Sequence, residues 1–174
     1  MKNFFKRVFK FYKKIFSSSE SYGKYIGVKL GEGCRLGKVD FGTEPYLISI
    51  GDNVQITDNV KFFTHGGAWV FRKIDKDFDF FGEIKIKNNV YIGNNICIMP
   101  GVTIGNNVLI GAGSVITKSI ADNCIVAGNP GRIIGEYQEL YSKLKRHNTN
   151  TKSFNFEKKR DFLLNNGSDY FITK

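Results

Sequence analysis

The side chain in this chain best suited to acid–base chemistry is an imidazole, and the chain has only two, on His65 and His147. An imidazole takes up and releases a proton near pH 7, so it can act as a general base toward an attacking hydroxyl group. His65 stands directly before residues 66–83, the one long interruption of a regular sequence pattern, whereas His147 lies in a polar tail. We therefore predict that His65 is the catalytic base; the alternative hypothesis is that its ring only stabilises a turn by hydrogen bonding.

The pattern around His65 is a six-residue period. Aliphatic residues recur at the first and third positions, and the last three positions are rich in Gly, Asn and Asp. Side chains alternate between the two faces of a strand, and Gly, Asn and Asp tolerate turn conformations, so each hexad predicts a short strand followed by a corner. A fixed short period predicts a solenoid, in which every repeat buries its apolar face against its neighbours. The hexads begin at Ile48, Val54, Val60, Ile84, Val90, Ile96, Val102, Val108, Ser114 and Ile120, with weaker ones at Val28 and Cys34 and a break of register over residues 40–47.

Residues 66–83 predict a loop that leaves the solenoid. Two glycines let the chain turn away from the corner, and five aromatic residues follow. These are Trp69, Phe71, Phe78, Phe80 and Phe81. So many aromatic rings are unusual in a freely solvated loop, so we expect the loop to pack against a helix, a neighbouring subunit or a ligand. Solenoid proteins often carry function on such loops, and we assign Trp69 and Arg72 to substrate binding.

The repeat resembles the left-handed parallel β-helix of the hexapeptide-repeat acyltransferases over about residues 26–135. In that family three hexads form one triangular coil, and a histidine before the protruding loop is the base in sugar and xenobiotic acetyltransferases. Residues 111–118 (Gly-Ala-Gly-Ser-Val-Ile-Thr-Lys) and 127–134 (Ala-Gly-Asn-Pro-Gly-Arg-Ile-Ile) are similar to the signature that ends the family's helix. Gly131 stands where the family more often has alanine.

This resemblance implies acetyl-CoA as the cosubstrate and a homotrimer with active sites between subunits. The residues that it places along the coenzyme A path are Ala112, Thr117, Lys118 and Arg132, with Tyr91 where many relatives have a tryptophan against the pantetheine arm. The two cations also suit the coenzyme's anionic phosphates. The alternative for all five is ordinary solenoid surface. The residue that orients His65 stays open, with Asp58 and Asn53 as nearby corner residues.

The two ends of the chain lie outside the repeat. Residues 2–16 predict an amphipathic helix with aromatic and aliphatic side chains on one face and lysine or arginine on the other. This helix can lie on an anionic membrane surface, or it can dock as a cap on the chain's own solenoid or on a neighbouring subunit; both hypotheses stay open. Residues 17–21 predict a loop or a helix stop, and residues 136–146 and 155–165 predict short helices, the first of them a cap.

Charge and composition narrow the function classes. The net charge is +10, and residues 1–18 hold six cations and no acid, so a nucleic-acid surface on the folded domain is not favoured. Three unpaired cysteines indicate a reducing compartment, and no stretch predicts a transmembrane helix. Two histidines do not make the three-histidine zinc site of a γ-type carbonic anhydrase, and we expect no metal. The short segment before the repeat leaves no room for the front domain of a serine acetyltransferase.

Together these observations predict an all-β solenoid, a left-handed parallel β-helix, that acts as an O-acetyltransferase. We expect a helix at residues 1–18, a catalytic β-helix at 26–135 and a helical cap and tail at 136–174. By resemblance, the enzyme transfers an acetyl group directly from acetyl-CoA to a sugar hydroxyl, in the cytoplasm or at the inner membrane face, in surface polysaccharide synthesis. Two alternatives stay open: a xenobiotic or antibiotic acetyltransferase of the same fold, and a non-catalytic scaffold that binds a partner through its loop.

Overall fold

The structure, a computed structural model, describes the backbone of residues 2–173 and the side chains of residues 8, 9 and 11–173. The chain divides into two compact units, Met1–Tyr137 and Gln138–Lys174. The first unit opens with helix α1 (Lys2–Phe16) and helix α2 (Ser19–Ile26). Among the described residues, no helix combines the length and the apolar character that crossing a bilayer requires.

The first unit is built from 14 short strands in three sheets. In chain order they are β1 (Lys29–Leu30), β2 (Arg35–Leu36), β3 (Val39–Asp40), β4 (Ile48–Ile50), β5 (Val54–Ile56), β6 (Val60–Phe62), β7 (Ile84–Ile86), β8 (Val90–Ile92), β9 (Cys97–Ile98), β10 (Thr103–Ile104), β11 (Val108–Ile110), β12 (Val115–Ile116), β13 (Cys124–Ala127) and β14 (Arg132–Glu136). Sheet A has the order β1-β4-β7-β10, sheet B the order β2-β5-β8-β11-β13-β14, and sheet C the order β3-β6-β9-β12. From β1 to β9, each strand therefore pairs with the strand three places later, so the chain visits the three sheets in turn.

All pairings are parallel except that of β13 with β14. The first and third residues of the hexads are buried, as in Ile84 and Ile86 of β7, and the residue between them, Lys85, is exposed. Burying each such aliphatic side chain contributes roughly 1.5–3 kcal/mol, which is how strands of two or three residues hold together. The strands predicted from the six-residue period are thus present in the structure.

Asparagines at the corners hold the left-handed backbone conformation. Asn53, Asn89, Asn107 and Asn123 have φ between 53° and 64°. Their side chains also form a ladder along the stack, in which each amide donates to the next, with N–O distances of 2.9, 2.7 and 2.8 Å. Glycine would supply the conformation but not the ladder, which explains why asparagine occupies these corners.

The sequence predicts a loop or a helix stop over residues 17–21. Helix α1 does end at Phe16, but helix α2 already begins at Ser19, which corrects the rest of the prediction. Only Ser17 and Ser18 separate the two helices, because the Ser18 side chain accepts a hydrogen bond from the backbone N–H of Ser21 and so caps α2. The helix ends at Gly27, whose φ of 110° suits glycine. The sequence has too few residues here for a helical periodicity to be recognised, so α2 was not predicted.

Strand β14 is a second element that the repeat did not predict. The chain reverses after β13 and returns antiparallel to it, with Ala127 opposite Arg132. Helix α3 follows (Tyr137–Leu144), so the helix predicted over residues 136–146 begins one residue later and ends in a 3-10 turn, Lys145–His147. In the second unit, helix α4 (Phe156–Asn166) begins after Asn155, whose side chain accepts from the backbone N–H of Lys158.

Candidate active site

His65 lies at the base of the loop formed by residues 66–83. It follows β6 and forms an isolated antiparallel bridge with Phe81, and the backbone N–H of Gly82 donates to the carbonyl of Thr64 at 2.8 Å. The two ends of the loop are therefore joined beside the histidine, and the rings of His65 and Phe81 are 5.6 Å apart. This closure fixes the imidazole where the loop leaves the stack.

Glu44 holds the His65 ring. Its Oε2 lies 2.7 Å from Nδ1 of His65 and accepts a second hydrogen bond, also 2.7 Å, from the hydroxyl of the buried Thr64. The Glu44 side chain is 16% exposed and that of His65 41%, so the pair lies at the surface with its carboxylate inward. Sequence reasoning missed Glu44 and considered Asp58 and Asn53. Asp58 accepts instead from the backbone of Lys38, and Asn53 belongs to the corner ladder.

Pairing of β3 with β6 explains how Glu44 reaches His65. The two strands are neighbours in sheet C, with Asp40 opposite Lys61, so the segments that leave them are also neighbours. Glu44 belongs to the register break at residues 40–47, and the long loop follows β6. Both interruptions of the repeat therefore occur after adjacent strands of one sheet, and this coincidence is the signal that could have identified Glu44.

Hydrogen bonding keeps Glu44 ionised. Burial alone raises the pKa of its carboxyl, but hydrogen bonds from Thr64, Thr43 and His65 outweigh burial, so the pKa of Glu44 lies below its ordinary value. An ionised carboxylate can only accept, so Nδ1 of His65 must carry the proton of the shared hydrogen bond. The neutral ring then has its lone pair on Nε2, which has no hydrogen-bond partner among the described residues. This arrangement is the one a general base requires.

Trp69 and Arg72, the two predicted substrate residues, line the same cleft as His65. The cleft has a volume of about 280 Å³, and Glu44 and Phe81 also contribute to its wall. The Arg72 side chain donates through Nε to the carbonyl of Phe78 at 3.3 Å and lies 3.9 Å from the carboxylate of Asp79. The cleft therefore brings together a base, an aromatic surface and a cation held by the loop itself.

The loop is only partly packed. Phe78 contacts the rings of Phe71 and Phe80, with ring centres 5.1 and 6.1 Å apart. Trp69, however, is 79% exposed, and Ile74 is also largely exposed. Three phenylalanines thus pack against one another within the loop, whereas the packing of the loop against a helix, a neighbouring subunit or a ligand stays a prediction. Its outer apolar side chains are not covered by the residues that the structure describes.

Thr117 and Lys118 follow β12 as His65 follows β6. They therefore lie on the same corner of the coil as His65, but two strands further along the stack. Phe62, Ile98 and Ile116 occupy one register position of sheet C, in β6, β9 and β12. The residues that follow therefore align, and Lys118 matches Thr64 two strands away, a separation of about 10 Å along the stack. Lys118 is exposed and forms no ion pair with another described residue.

The other three residues predicted to contact coenzyme A belong to sheet B. Tyr91 is partly exposed in the middle of β8, between Gln55 and Leu109. Ala112 is at the corner after β11, and Arg132 begins β14, where it donates to the carbonyl of Gly131. None of the five residues assigned to the coenzyme lines the His65 cleft. Within one chain, the structure thus brings His65 together with Trp69 and Arg72 but not with Tyr91, Ala112, Thr117, Lys118 or Arg132.

No group of three or more His, Cys, Asp or Glu side chains among residues 2–173 is arranged to hold a metal ion. His147, the other histidine, belongs to the second unit. Its Nδ1 lies 3.0 Å from the carbonyl oxygen of Tyr170, and Arg146 donates to its Nε2. Both ring nitrogens of His147 are therefore occupied, in contrast to those of His65.

Known proteins similar to this chain share its repeat. The family model described as bacterial transferase hexapeptide (six repeats) matches residues 83–118. The chain is 46% identical to Protein CapG of Staphylococcus aureus over 151 residues, which cover 84% of this chain and 88% of that protein. It is 43% identical to galactoside O-acetyltransferase of Escherichia coli (strain K12) over 97 residues, 55% of this chain and about half (47%) of the relative.

Among solved structures, a galactoside acetyltransferase in complex with coenzyme A superimposes with a TM-score of 0.55 and 28% identity, covering 78% of this chain and 80% of that one. The resemblance stated from the hexads is therefore confirmed. The chain belongs to the bacterial hexapeptide-repeat transferases, and it is an acyltransferase.

Proposed function

We propose that the chain is an O-acetyltransferase that moves an acetyl group from acetyl-CoA to a sugar hydroxyl. The observation that carries the proposal is the Glu44–His65 pair, which leaves Nε2 free at the surface of the cleft. The relatives support the reaction class, since one is a galactoside O-acetyltransferase and a similar solved structure contains coenzyme A. We also propose a role in surface polysaccharide synthesis, because the basic amphipathic helix α1 suits an enzyme whose acceptor is a lipid-linked glycan at a membrane surface.

Acetyl-CoA supplies a thioester, whose carbonyl carbon is the electrophile. Nε2 of His65 takes the proton of the acceptor hydroxyl as its oxygen forms a bond to that carbon. The bond between carbon and sulfur breaks, and the protonated ring returns the proton to the leaving thiolate. Glu44 holds the ring in one orientation and stabilises its positive charge while the proton is on it. No side chain becomes acetylated, so the transfer is direct.

A homotrimer with its active sites between subunits would explain why the residues assigned to coenzyme A do not line the cleft of their own chain. We take the three-sided coil to be left-handed, as in the family, and the active site to lie between two subunits. One subunit supplies His65, Glu44 and the aromatic loop, and its neighbour supplies the coenzyme path. The exposed cations Lys118 and Arg132 fit phosphate groups, and Tyr91 presents an accessible ring to the pantetheine arm.

The first test replaces the base. His65→Ala should lower turnover at least about 100-fold, because general-base catalysis is lost, while the oligomeric mass stays unchanged. The matched control is His147→Ala, which removes the chain's other imidazole and should leave turnover as it is. Near-normal turnover of His65→Ala, measured by the release of free thiol from acetyl-CoA, would contradict the proposed role.

Substrate screens distinguish this proposal from the two alternatives. Galactosides and other glycans should accept the acetyl group, whereas transfer only to antibiotics would favour the xenobiotic acetyltransferase, which the exposed aromatic loop also suits. A protein that is not thermally stabilised by coenzyme A would instead be a binding scaffold.

A further inference from the structure

The apolar face of α1 is open to solvent wherever the structure describes its side chains. Every apolar side chain of α1 that the structure describes is at least half exposed, with Phe11 at 66% and Phe16 at 71%. The described members of this face are Val8, Phe9, Phe11, Tyr12, Ile15 and Phe16. At 100° per residue they lie on one side of the helix, so a continuous aromatic and aliphatic strip remains open.

Helix α2, rather than α1, covers the first coil. Gly23 of α2 is buried so close to Phe41 that a methyl group in its place would lie 3.2 Å from the ring. Glu20 accepts from the backbone N–H of Leu36 at 2.6 Å, and Ser19 donates to the carbonyl of Gly37. These contacts hold α2 over the end of the first coil, which is the position of a capping helix. The hypothesis that α1 caps the solenoid is therefore disfavoured, because α2 already does so.

Among the described side chains, one aromatic contact connects α1 to this cap. The rings of Phe9 and Tyr25 meet edge to face with centres 5.8 Å apart, and both remain about half exposed. Lys13 lies over the Phe9 ring at 5.9 Å. This contact leaves most of the described part of the apolar strip free.

Positive charge surrounds the strip and continues onto the folded unit. Residues 1–18 hold six lysine or arginine residues and no acid. Lys14 of α1 lines a cleft together with Lys38 and Lys61. Asp40, the one acid among the described residues that line this cleft, accepts a hydrogen bond from the backbone N–H of Gly42. None of these three lysines forms an ion pair with a described residue. A second copy of α1 would bring the same cations together, whereas an anionic surface would neutralise them.

We propose that α1 binds the surface of an anionic phospholipid bilayer. The strip enters the boundary between headgroups and acyl chains, and the lysines of α1 face the phosphates, as amphipathic basic helices do. Lys38 and Lys61 lie beside α1 at the same end of the stack and strengthen the attraction to the lipid. The enzyme is thereby held at a membrane by a segment separate from the His65 cleft.

The first experiment uses the full chain and sedimentation with vesicles. The native protein should bind vesicles of phosphatidylcholine mixed with phosphatidylglycerol, and bind pure phosphatidylcholine much more weakly. The double variant Phe11→Ser, Phe16→Ser should reduce binding to the mixed vesicles at least about tenfold, because two exposed apolar anchors are lost. Phe156→Ser, which removes an 81% exposed ring from α4, is the matched control and should bind as the native protein does.

The second experiment tests the charge on the folded unit. Lys38→Glu with Lys61→Glu should weaken binding to the mixed vesicles about tenfold or more, and added salt should weaken native binding. Lys152→Glu with Lys159→Glu makes the same change of net charge in the second unit and should have little effect. Equal loss in both pairs would show that only net charge matters, and it would overturn the assignment to Lys38 and Lys61.

Two outcomes would overturn the membrane proposal. One is that the native protein does not sediment with the mixed vesicles. The other is that Phe11→Ser, Phe16→Ser leaves vesicle binding intact but changes the oligomeric mass, which would identify a second copy as the partner of the strip. Neither depends on acetyl transfer. The α1 variants should retain turnover on a soluble acceptor, and His65→Ala should retain vesicle binding, so failure of one proposal is distinguishable from failure of the other.

Discussion

At the scale of residues, the site depends on one carboxylate that the repeat did not predict. His65 was predicted because histidine is rare in the chain and because a long interruption follows it directly. Glu44 was not, because 21 residues separate it from His65 and its own segment is out of register. Only the pairing of β3 with β6 brings the two together, and that pairing follows from the repeat only once three hexads are assigned to each coil.

Replacing Glu44 tests whether this residue orients the His65 ring or binds the acceptor. In Glu44→Gln the amide has no negative charge and can present its NH₂ group to Nδ1, which favours the wrong ring tautomer. We expect turnover to fall about 10- to 1,000-fold with the KM for the acceptor nearly unchanged. Asp58→Asn changes a corner carboxylate that accepts a hydrogen bond from the backbone N–H of Lys38, and it should leave turnover within about twofold. A rise in KM without a fall in turnover would show that Glu44 contacts the acceptor instead of the base.

At the scale of elements, the six-residue period predicted the strands of the repeat, but it did not predict helix α2 or strand β14. Each hexad produces a strand because its first and third side chains face inward and its last residues form a corner. Helix α2 and strand β14 do not repeat, and their stability comes from contacts with the end coils. Gly23 against Phe41 is one such contact, and the pairing of β14 with β13 is another. Such contacts become apparent only after the coils have been placed in space.

The asparagine ladder gives a prediction at this scale. Asn89→Ala should lower the free energy of unfolding by about 2–3 kcal/mol, because alanine disfavours the positive φ and loses two amide hydrogen bonds. Asn89→Gly keeps the backbone conformation and loses only the bonds, so its cost should be about 1 kcal/mol smaller. Urea denaturation of both variants measures the difference. Equal loss in the two would mean that the backbone conformation contributes little.

At the scale of the whole molecule, the proposed trimer can be tested by mixing subunits. His65→Ala lacks the base, and Lys118→Glu with Arg132→Glu should lack the coenzyme path. If each site draws on two subunits, dissociating and reassembling an equal mixture should restore about a quarter of native activity, since one interface in four receives both intact halves. If each site lies within one subunit, the mixture stays inactive. Separately reassembled single variants provide the baseline.

The even spacing of the strands also makes the stack a ruler between His65, the proposed base, and Lys118, which we propose binds the coenzyme. Lys118 lies two strands beyond the level of Thr64, and each coil inserted between them should lengthen that interval by about 4.8 Å. A duplicate of residues 84–101, inserted after residue 101, adds one full coil and keeps the phase of every hexad. We expect this protein to fold, because neighbouring coils supply all of its contacts, but to lose efficiency with acetyl-CoA. Circular dichroism would measure folding, and kcat/KM for acetyl-CoA would measure efficiency. An unchanged kcat/KM would mean that the distance between His65 and Lys118 does not limit acetyl transfer.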